Sequence, residues 1–289
     1  KWLAISLNKE VVALGYTPDR VFQTGVELTG TVQDCIRLNL NLRCASQVMY
    51  SLKSFICNDP NELHQQLVSI PWETVIAPNG YFSVTSNVFH PSISTNLFAN
   101  LRVKDAIVDH MREVANQRPS TGSELSGVVV YLFWKNEEAE IFLDTSGETL
   151  AKHGYRKLPG TAPRLEALSA STIISTKRDK NAPFVNPMCG SGTLAIEAAL
   201  IATKRAPGLL RNNYAFMHLI GYDKAVYQKE KLIREKIVSI NRERQNNMFN
   251  PEWQKEMANR PKSKYYFREN PDFCVNRLFA KRRNFTLWQ

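Results

Sequence analysis

The sequence predicts an α/β protein in which an α+β module precedes a domain that opens with a strand, a glycine turn and a helix. Segments with the period of a strand alternate with segments with the period of a helix along most of the chain. The length of 289 residues suits about two domains of roughly 100–200 residues each. Hydrophobic residues make up 43% and aromatic residues 10%, enough to build ordinary cores. A wholly disordered chain is therefore excluded.

Local patterns predict the first elements in order. Residues 25–30 alternate between polar and apolar side chains, which predicts a short strand. Residues 31–52 carry apolar side chains at helical spacing, which predicts a helix. Asp59 and Pro60 supply a turn and a helix start, and the amphipathic residues 63–70 continue that helix.

A strand, a helix and a hairpin are predicted next. Residues 81–86 alternate as a strand does, and residues 96–114 are amphipathic with the period of a helix. A polar segment with proline and glycine, residues 118–127, predicts a loop. The apolar runs 128–134 and 139–143 are separated by four polar residues, which predicts a β-hairpin.

The second half begins after a segment that is typical of a linker. Residues 152–163 contain two glycines and two prolines, so we place the first domain at 1–155 and the second at 156–289. Residues 164–174 then predict a helix, and residues 182–185 predict a short buried strand. Helices are predicted again over residues 194–201 and 227–240.

The charge is distributed unevenly between the two halves. Residues 1–150 carry 11 Lys and Arg against 16 Asp and Glu, a net charge of −5. Residues 151–289 carry 26 against 11, a net charge of +15. A half this basic suggests a polyanionic partner, most simply a nucleic acid.

Several classes of protein are not expected. No apolar run approaches the roughly 18–20 residues that span a bilayer, and charged residues interrupt the early apolar stretches. The five cysteines are scattered without a CxxC pair, which argues against a disulfide scaffold and a zinc site. No two of the five histidines are spaced i, i+4, so no metal is expected. We expect a soluble, cytoplasmic protein.

The clearest motif is Asn-Pro-Met-Cys-Gly-Ser-Gly-Thr at residues 186–193. A buried strand precedes it and an alanine-rich helix follows. In α/β folds, nucleotide-like ligands bind at such a strand–turn–helix unit, outside the carboxyl end of the strand. Glycines let backbone N–H groups approach the ligand, and the start of a helix favours a carboxylate or a phosphate.

This motif resembles the Asp/Asn-Pro-x-Cys-Gly-Ser-Gly-Thr signature of the THUMP-domain RNA methyltransferases, which use S-adenosylmethionine. The amino-terminal module is also similar to that family, at residues 39–46, 70–72, 101–109, 143–148 and 153–156. The resemblance covers roughly residues 15–235. It implies a Rossmann-like methyltransferase domain preceded by an α+β ferredoxin-like/THUMP module. Most similar in kind are bacterial enzymes that methylate the exocyclic amino group of a guanine in 23S ribosomal RNA. Their relatives are often labelled adenine-specific DNA methylases.

The resemblance implies a set of residues that bind S-adenosylmethionine. Backbone donors of the glycine turn suit the carboxylate of the cofactor, and Asn186 suits its ammonium group. Many relatives have Asp at position 186, so the Asn in this chain removes one negative charge. The cofactor-binding residues expected are Asn186, Pro187, Gly190, Ser191, Gly192 and Thr193, with Ala162 and Pro163 beside them.

Two pieces of the expected methyltransferase domain are not found in the sequence. The family has an acidic residue at the end of its second strand, and an Asn/Asp-Pro-Pro-aromatic catalytic turn. Only 138 residues follow Ala151, against the roughly 180–200 expected for the complete domain, so interior segments are expected to be absent from this chain. The nearest match to the catalytic turn is Asn250, Pro251 and Trp253, with Glu252 in place of the second proline.

The expected substrate is ribosomal RNA, and two basic groups are candidates for binding it. Arg102 and Lys104 lie on the helix of the amino-terminal module, and Lys281, Arg282 and Arg283 precede aromatic residues near the end of the chain. Two other functions stay open. One is an adenine-N6 DNA methyltransferase, and the other is a non-catalytic RNA-binding protein with a degenerate methyltransferase domain.

Overall fold

A computed structural model describes residues 2–93, 95–156, 164–176 and 190–248, together with Phe184 and Asn186. Within these residues the helices are α1 (Trp2–Ala13), α2 (Val32–Asn41), α3 (Pro60–Val68), α4 (Asn96–Ala115), α5 (Glu166–Ser175), α6 (Thr193–Ala202) and α7 (Lys224–Met248). The strands are β1 (Arg20–Val21), β2 (Val26–Glu27), β3 (Met49–Ile56), β4 (Tyr81–Phe89), β5 (Ser120–Gly122), β6 (Val128–Lys135) and β7 (Glu138–Asp144). Short 3-10 helices occupy Trp72–Thr74, Pro207–Leu210 and Ala215–His218.

The centre of the amino-terminal half is a mixed five-stranded sheet in the order β3-β7-β6-β4-β5. The pairs β3–β7 and β7–β6 are antiparallel, whereas β4 runs parallel to both β6 and β5. Parallel neighbours require a crossover connection, and α4 provides it between β4 and β5. Helices α3 and α4 pack against each other, and α4 packs on β4. The largest buried side chains of this core include Trp72, Trp134 and Phe82.

The predicted hairpin is confirmed. Lys135 pairs with Glu138, so the connecting turn consists of Asn136 and Glu137. Asn136 has a φ of +55°, a left-handed conformation that asparagine tolerates better than most residues. The turn is therefore shorter than the four-residue connection expected from the sequence.

Both helices predicted over residues 63–70 and 96–114 are confirmed. The carboxylate of Asp59 accepts hydrogen bonds from the backbone amides of Asn61 and Glu62, and Pro60 occupies the first helical position of α3. Helix α4 begins after Thr95, whose side chain accepts a hydrogen bond from the amide of Phe98. The sequence signals for helix starts were sufficient here because each cap is local.

The helix predicted over residues 31–52 is wrong in its second half. Helix α2 ends at Asn41, and strand β3 begins at Met49. Between them the backbone amides of Arg43 and Cys44 donate to the carboxylate of Glu10. The chain turns there because those amides bind a distant side chain, and the following residues pair with β7.

The loop predicted over residues 118–127 also needs a correction, because it contains β5. Ser120 to Gly122 pair in parallel register with Tyr81 to Ser83 of β4. The strand is three residues long and largely polar, so the sequence has no pattern that marks it.

The described part of the second half is helical. The strand predicted over residues 182–185 lies outside the described residues except for Phe184. Helices α5 and α6 pack against each other, and α1 packs on α5. Cys35, Cys44 and Cys57 are buried free thiols. In the part of the chain that the structure describes, no helix is long and apolar enough to cross a membrane, and no cluster of three metal-ligating side chains occurs.

Candidate functional site

The glycine turn lies at the amino terminus of α6. Gly190 has a φ of +52° and Gly192, the N-cap residue, a φ of +78°. Both lie in the left-handed region that favours glycine. No side chain caps α6 in the described structure, although the hydroxyls of Ser191 and Thr193 lie 3.1 Å apart. The first N–H groups of this helix are thus without a side-chain acceptor, which suits an anionic group.

Asn186 adds a second feature that fits a ligand. Its amide nitrogen Nδ2 is buried and has no hydrogen-bond partner among the described residues. A buried donor without a partner is unfavourable unless a ligand or water accepts from it. Space is available at the turn, since a Cβ built on Gly190 meets no described atom within 4 Å. The turn and the Nδ2 donor of Asn186 both suit an acceptor such as a carboxylate, so this donor does not fit the contact with an ammonium group expected for Asn186 from the sequence.

Arg156 holds the first residue of α6. Its Nη2 donates to the hydroxyl oxygen of Thr193 at 2.8 Å and to the carbonyl oxygen of Arg164 at 2.9 Å. Its Nε lies 3.3 Å from the carboxylate of Glu166 on α5, and both side chains are largely buried. One guanidinium therefore joins the start of α6 to the start of α5.

A buried ionic cluster lies under the middle of α6. Glu197 is completely buried, and its Oε1 lies 2.7 Å from Nδ1 of His153, which is 1% exposed. The other ring nitrogen of His153 lies 3.0 Å from the carbonyl oxygen of Arg43. The guanidinium of Arg43 lies 3.9 Å from Glu197 and also donates to the carbonyl oxygens of Leu200 and Arg205, at the end of the helix. Of the residues predicted as a linker, His153 is buried, Lys152 and Gly154 are exposed, and residues 157–163 lie outside the described residues.

Burial controls the electrostatics of this cluster. Desolvation raises the pKa of Glu10, although hydrogen bonds from Cys44 and the charge of Arg43 oppose it. Desolvation lowers the pKa of the Arg43 guanidinium, and the carboxylates of Glu197 and Glu10 counteract that effect. Burial, followed by the negative charge of Glu197, raises the pKa of Tyr155. The pKa values of Glu10, Arg43 and Tyr155 therefore each depend on burial and on the charges of neighbouring residues in the cluster.

The basic residues predicted on the amino-terminal module lie on α4. Arg102 donates to the side-chain oxygen of Asn61 at 2.8 Å, and its guanidinium lies 5.8 Å from the ring centre of Phe98. Lys104 is half-buried. Both residues line a cavity of about 360 Å³ between α3, α4 and β5. The cavity has an excess of positive side chains, and its charged or ionisable lining residues are His64, Arg102, Lys104, Asp105, Asp109, Arg112 and Arg118.

The remaining predicted site residues lie outside the described residues. They are Pro187, Ala162 and Pro163 of the cofactor set, Asn250, Pro251 and Trp253 of the catalytic set, and Lys281, Arg282 and Arg283 of the RNA-binding set.

The cluster under α6 was not predicted from the sequence. Glu197 is the single charged residue in the sequence Thr-Leu-Ala-Ile-Glu-Ala-Ala-Leu-Ile-Ala, and an isolated carboxylate in an apolar helix requires a buried partner. That signal could have identified Glu197. The partners His153 and Arg43 have no comparable signal, because they lie 44 and 154 residues away in the chain.

The fold and the site define a class of protein: an α+β module with a mixed five-stranded sheet, followed by a part in which a glycine turn at a helix start suits an anionic ligand. Family models identify each part. The RlmL ferredoxin-like domain matches residues 5–49, the THUMP domain matches residues 57–144, and the RMKL-like methyltransferase domain matches residues 153–262. The chain therefore consists of ferredoxin-like and THUMP domains followed by an RMKL-like methyltransferase domain, which confirms the resemblance and the fold class predicted from the sequence.

Individual relatives agree with this assignment. The chain is 36% identical over 232 residues to the ribosomal RNA large subunit methyltransferase K/L of Buchnera aphidicola, covering 80% of this chain and 33% of the relative. It thus spans about a third of the length of the curated relatives it matches.

Solved structures give the same fold. A predicted N6-adenine-specific DNA methylase from Listeria monocytogenes has a TM-score of 0.74 at 30% identity, over 81% of this chain and 61% of that one. The protein SMU.472, complexed with SAH, has a TM-score of 0.73 at 26% identity, over 81% of this chain and 62% of that one.

Proposed function

We propose that this chain belongs to an S-adenosylmethionine-dependent RNA methyltransferase that modifies the exocyclic amino group of a guanine in 23S ribosomal RNA. The observation that carries the proposal is the uncapped start of α6 with its two left-handed glycines, together with the buried Asn186 amide nitrogen, which has no hydrogen-bond partner among the described residues. The same chain contains a THUMP domain, and a curated relative is named as a ribosomal RNA methyltransferase.

The cofactor is proposed to bind at the glycine turn. Backbone N–H groups of residues 190–193 donate to its carboxylate, and the side chain of Asn186 provides a further polar contact. S-adenosylmethionine supplies a methyl group on a positively charged sulfur. Pro187, Ala162 and Pro163 complete the proposed set. The complex of SMU.472 with SAH supports this choice of cofactor.

The proposed catalytic turn is Asn250, Pro251 and Trp253. The lone pair of the guanine amino group is delocalised into the ring, so the nitrogen is a poor nucleophile. The side-chain carbonyl of Asn250 and a neighbouring backbone carbonyl would accept hydrogen bonds from the two N–H groups of the guanine amino group, while Trp253 would stack on the base. That arrangement directs the nitrogen at the methyl group, and the gain in rate comes mainly from positioning.

Domain roles follow from the same proposal. We assign residues 1–155 to RNA recognition and residues 156–289 to the methyltransferase domain. On α4, Arg102 is already held by Asn61 and Phe98, whereas Lys104 lines the cavity beside Arg112 and Arg118. A cavity with this excess of positive charge suits the phosphates of a folded RNA.

A direct test is methyl incorporation by the purified protein from labelled S-adenosylmethionine. Unmethylated ribosomal RNA should accept label, and double-stranded DNA should not. Label in DNA alone would favour the adenine-N6 alternative. Cofactor-independent RNA binding without any incorporation would favour a non-catalytic RNA-binding protein.

RNA affinity is expected to fall steeply with salt, because the half with a net charge of +15 binds phosphates. Replacing Lys281, Arg282 and Arg283 together by Ala should weaken binding to many RNAs alike and flatten the plot of log affinity against log salt. Fluorescence anisotropy over a salt series measures both effects. If the triple variant kept the parent's affinity and slope, these residues would not bind RNA.

The variant Lys104→Ala is the matched comparison. It should reduce methylation of the true substrate more than it reduces general RNA affinity, because Lys104 lies on the module that orients the RNA. Equal losses for the true substrate and for unrelated RNA would contradict this role.

A further inference from the structure

Two side chains of the segment 153–156, those of His153 and Arg156, contact helix α6. Arg156 donates to Thr193 at 2.8 Å, and His153 lies 2.7 Å from the carboxylate of Glu197. Thr193 and Glu197 are four residues apart, so they lie on the same face of the helix, one turn apart. The segment therefore contacts the first two turns of α6 on one side.

These contacts begin immediately after the glycine turn. Gly192 is the N-cap residue of α6 and Thr193 its first helical residue. Because the backbone N–H groups at a helix start point along the helix axis, their direction is set by the orientation of the first turn. A side chain that fixes Thr193 and Glu197 therefore fixes where those donors point, without contacting a ligand itself.

The hydrogen bonds of His153 restrict it to one orientation. Its Nε2 faces the carbonyl oxygen of Arg43, which can only accept, so Nε2 carries a proton. Its Nδ1 lies 2.7 Å from the Glu197 carboxylate, within hydrogen-bond distance. The ring is thus held from both sides.

The cluster also ties α6 to the amino-terminal module. The amides of Arg43 and Cys44 donate to Glu10 on α1, and the carbonyl of Arg43 accepts from His153. The Arg43 guanidinium donates to the carbonyls of Leu200 and Arg205 at the other end of α6. A continuous chain of buried polar contacts therefore connects α1 to the helix that follows the glycine turn.

We propose that His153 and Arg156 are positioning residues, which set the cofactor affinity of the glycine turn by holding Glu197 and Thr193 of α6. The inference rests on the proposed function in one respect, namely that the turn binds S-adenosylmethionine. The contacts with α6 do not depend on that assignment.

The test combines two measurements on the full chain carrying His153→Gln, Glu197→Gln or both. The first measurement is the affinity for SAH by isothermal titration. The second is hydrogen exchange of the backbone amides of residues 193–197. Arg156→Gln and Arg156→Lys test the other contact, since a lysine retains the positive charge but has no second nitrogen to contact Glu166 while it donates to Thr193 and Arg164.

The matched control is His110→Gln. His110 also pairs with a glutamate, Glu73, and with a backbone carbonyl, that of Val68, but it lies on α4 away from the glycine turn. Loss of a histidine–glutamate pair is thus common to the control and to His153→Gln.

Each single change in the His153–Glu197 pair should weaken SAH binding by about tenfold, about 1.4 kcal/mol, because the backbone donors of the first turn are no longer held in place. The double variant should lose no more SAH affinity than either single variant, because each single change already disrupts the same His153–Glu197 contact. Arg156→Gln should lose more affinity than Arg156→Lys. Exchange at residues 193–197 should accelerate in these variants and stay unchanged in His110→Gln.

Parent-like affinity and exchange in folded variants would overturn the proposal. If the parent itself failed to bind SAH, the proposed function would fail, and hydrogen exchange would still decide whether His153 and Arg156 hold the start of α6. Unchanged exchange would then reject the positioning role.

Discussion

Replacing Gly190 or Gly192 by valine is expected to abolish measurable binding of S-adenosylmethionine. Both glycines are left-handed, with φ of +52° and +78°, and a β-branched residue strongly disfavours that conformation. Steric clash with the protein is not the cause, since a Cβ on Gly192 meets only the Ile196 side chain, at 3.9 Å, among the described residues. The valine would instead displace the backbone donors and occupy the space of the ligand. Isothermal titration measures the loss.

Gly221→Val is the control for that experiment. Gly221 also has a left-handed φ, +82°, and a Cβ there meets no described atom within 4 Å. The control therefore imposes the same backbone strain away from the turn. Unchanged cofactor affinity in both the Gly190 and Gly192 variants would show that the cofactor does not bind at this turn.

The second large effect is expected from Arg43→Ala, which should lower the free energy of unfolding by about 3–5 kcal/mol. Arg43 is 8% exposed and stands between the carboxylates of Glu10 and Glu197. Its removal takes a positive charge away from both carboxylates, although Glu197 keeps its contact with His153, and frees the carbonyls of Leu200 and Arg205. Urea denaturation monitored by circular dichroism measures the change.

Arg20→Ala provides the comparison for Arg43→Ala. Arg20 is exposed, and the guanidinium lies 5.2 Å from the ring centre of Phe22. Its removal should change the free energy of unfolding by less than about 1 kcal/mol. Similar small losses in both variants would show that the buried cluster does not stabilise the fold.

Local signals in the sequence predicted the elements that local interactions determine. The Asp59–Pro60 start of α3 was predictable because the cap lies within three residues of its partners. The hairpin of β6 and β7 was predictable because its two apolar runs flank a short polar turn. The turn and the start of α6 were predictable because the glycines and the alanine-rich helix occupy consecutive residues.

Elements that depend on distant partners were not predictable in the same way. The apolar spacing of residues 49–52 fits a helix, but pairing with β7 makes them part of a strand. The composition of residues 152–156 is typical of a linker, but His153 is buried against Glu197. In both cases a residue far away in the sequence decides the conformation.

The measurement that tests the central claim most directly is mass spectrometry of nucleosides from ribosomal RNA and DNA of cells with and without the gene. If the protein is an RNA guanine-N2 methyltransferase, N2-methylguanosine in 23S ribosomal RNA should decrease when the gene is removed and return when the gene is restored. DNA methylation should stay constant. Unchanged ribosomal RNA together with a loss of N6-methyladenine from DNA would contradict the account.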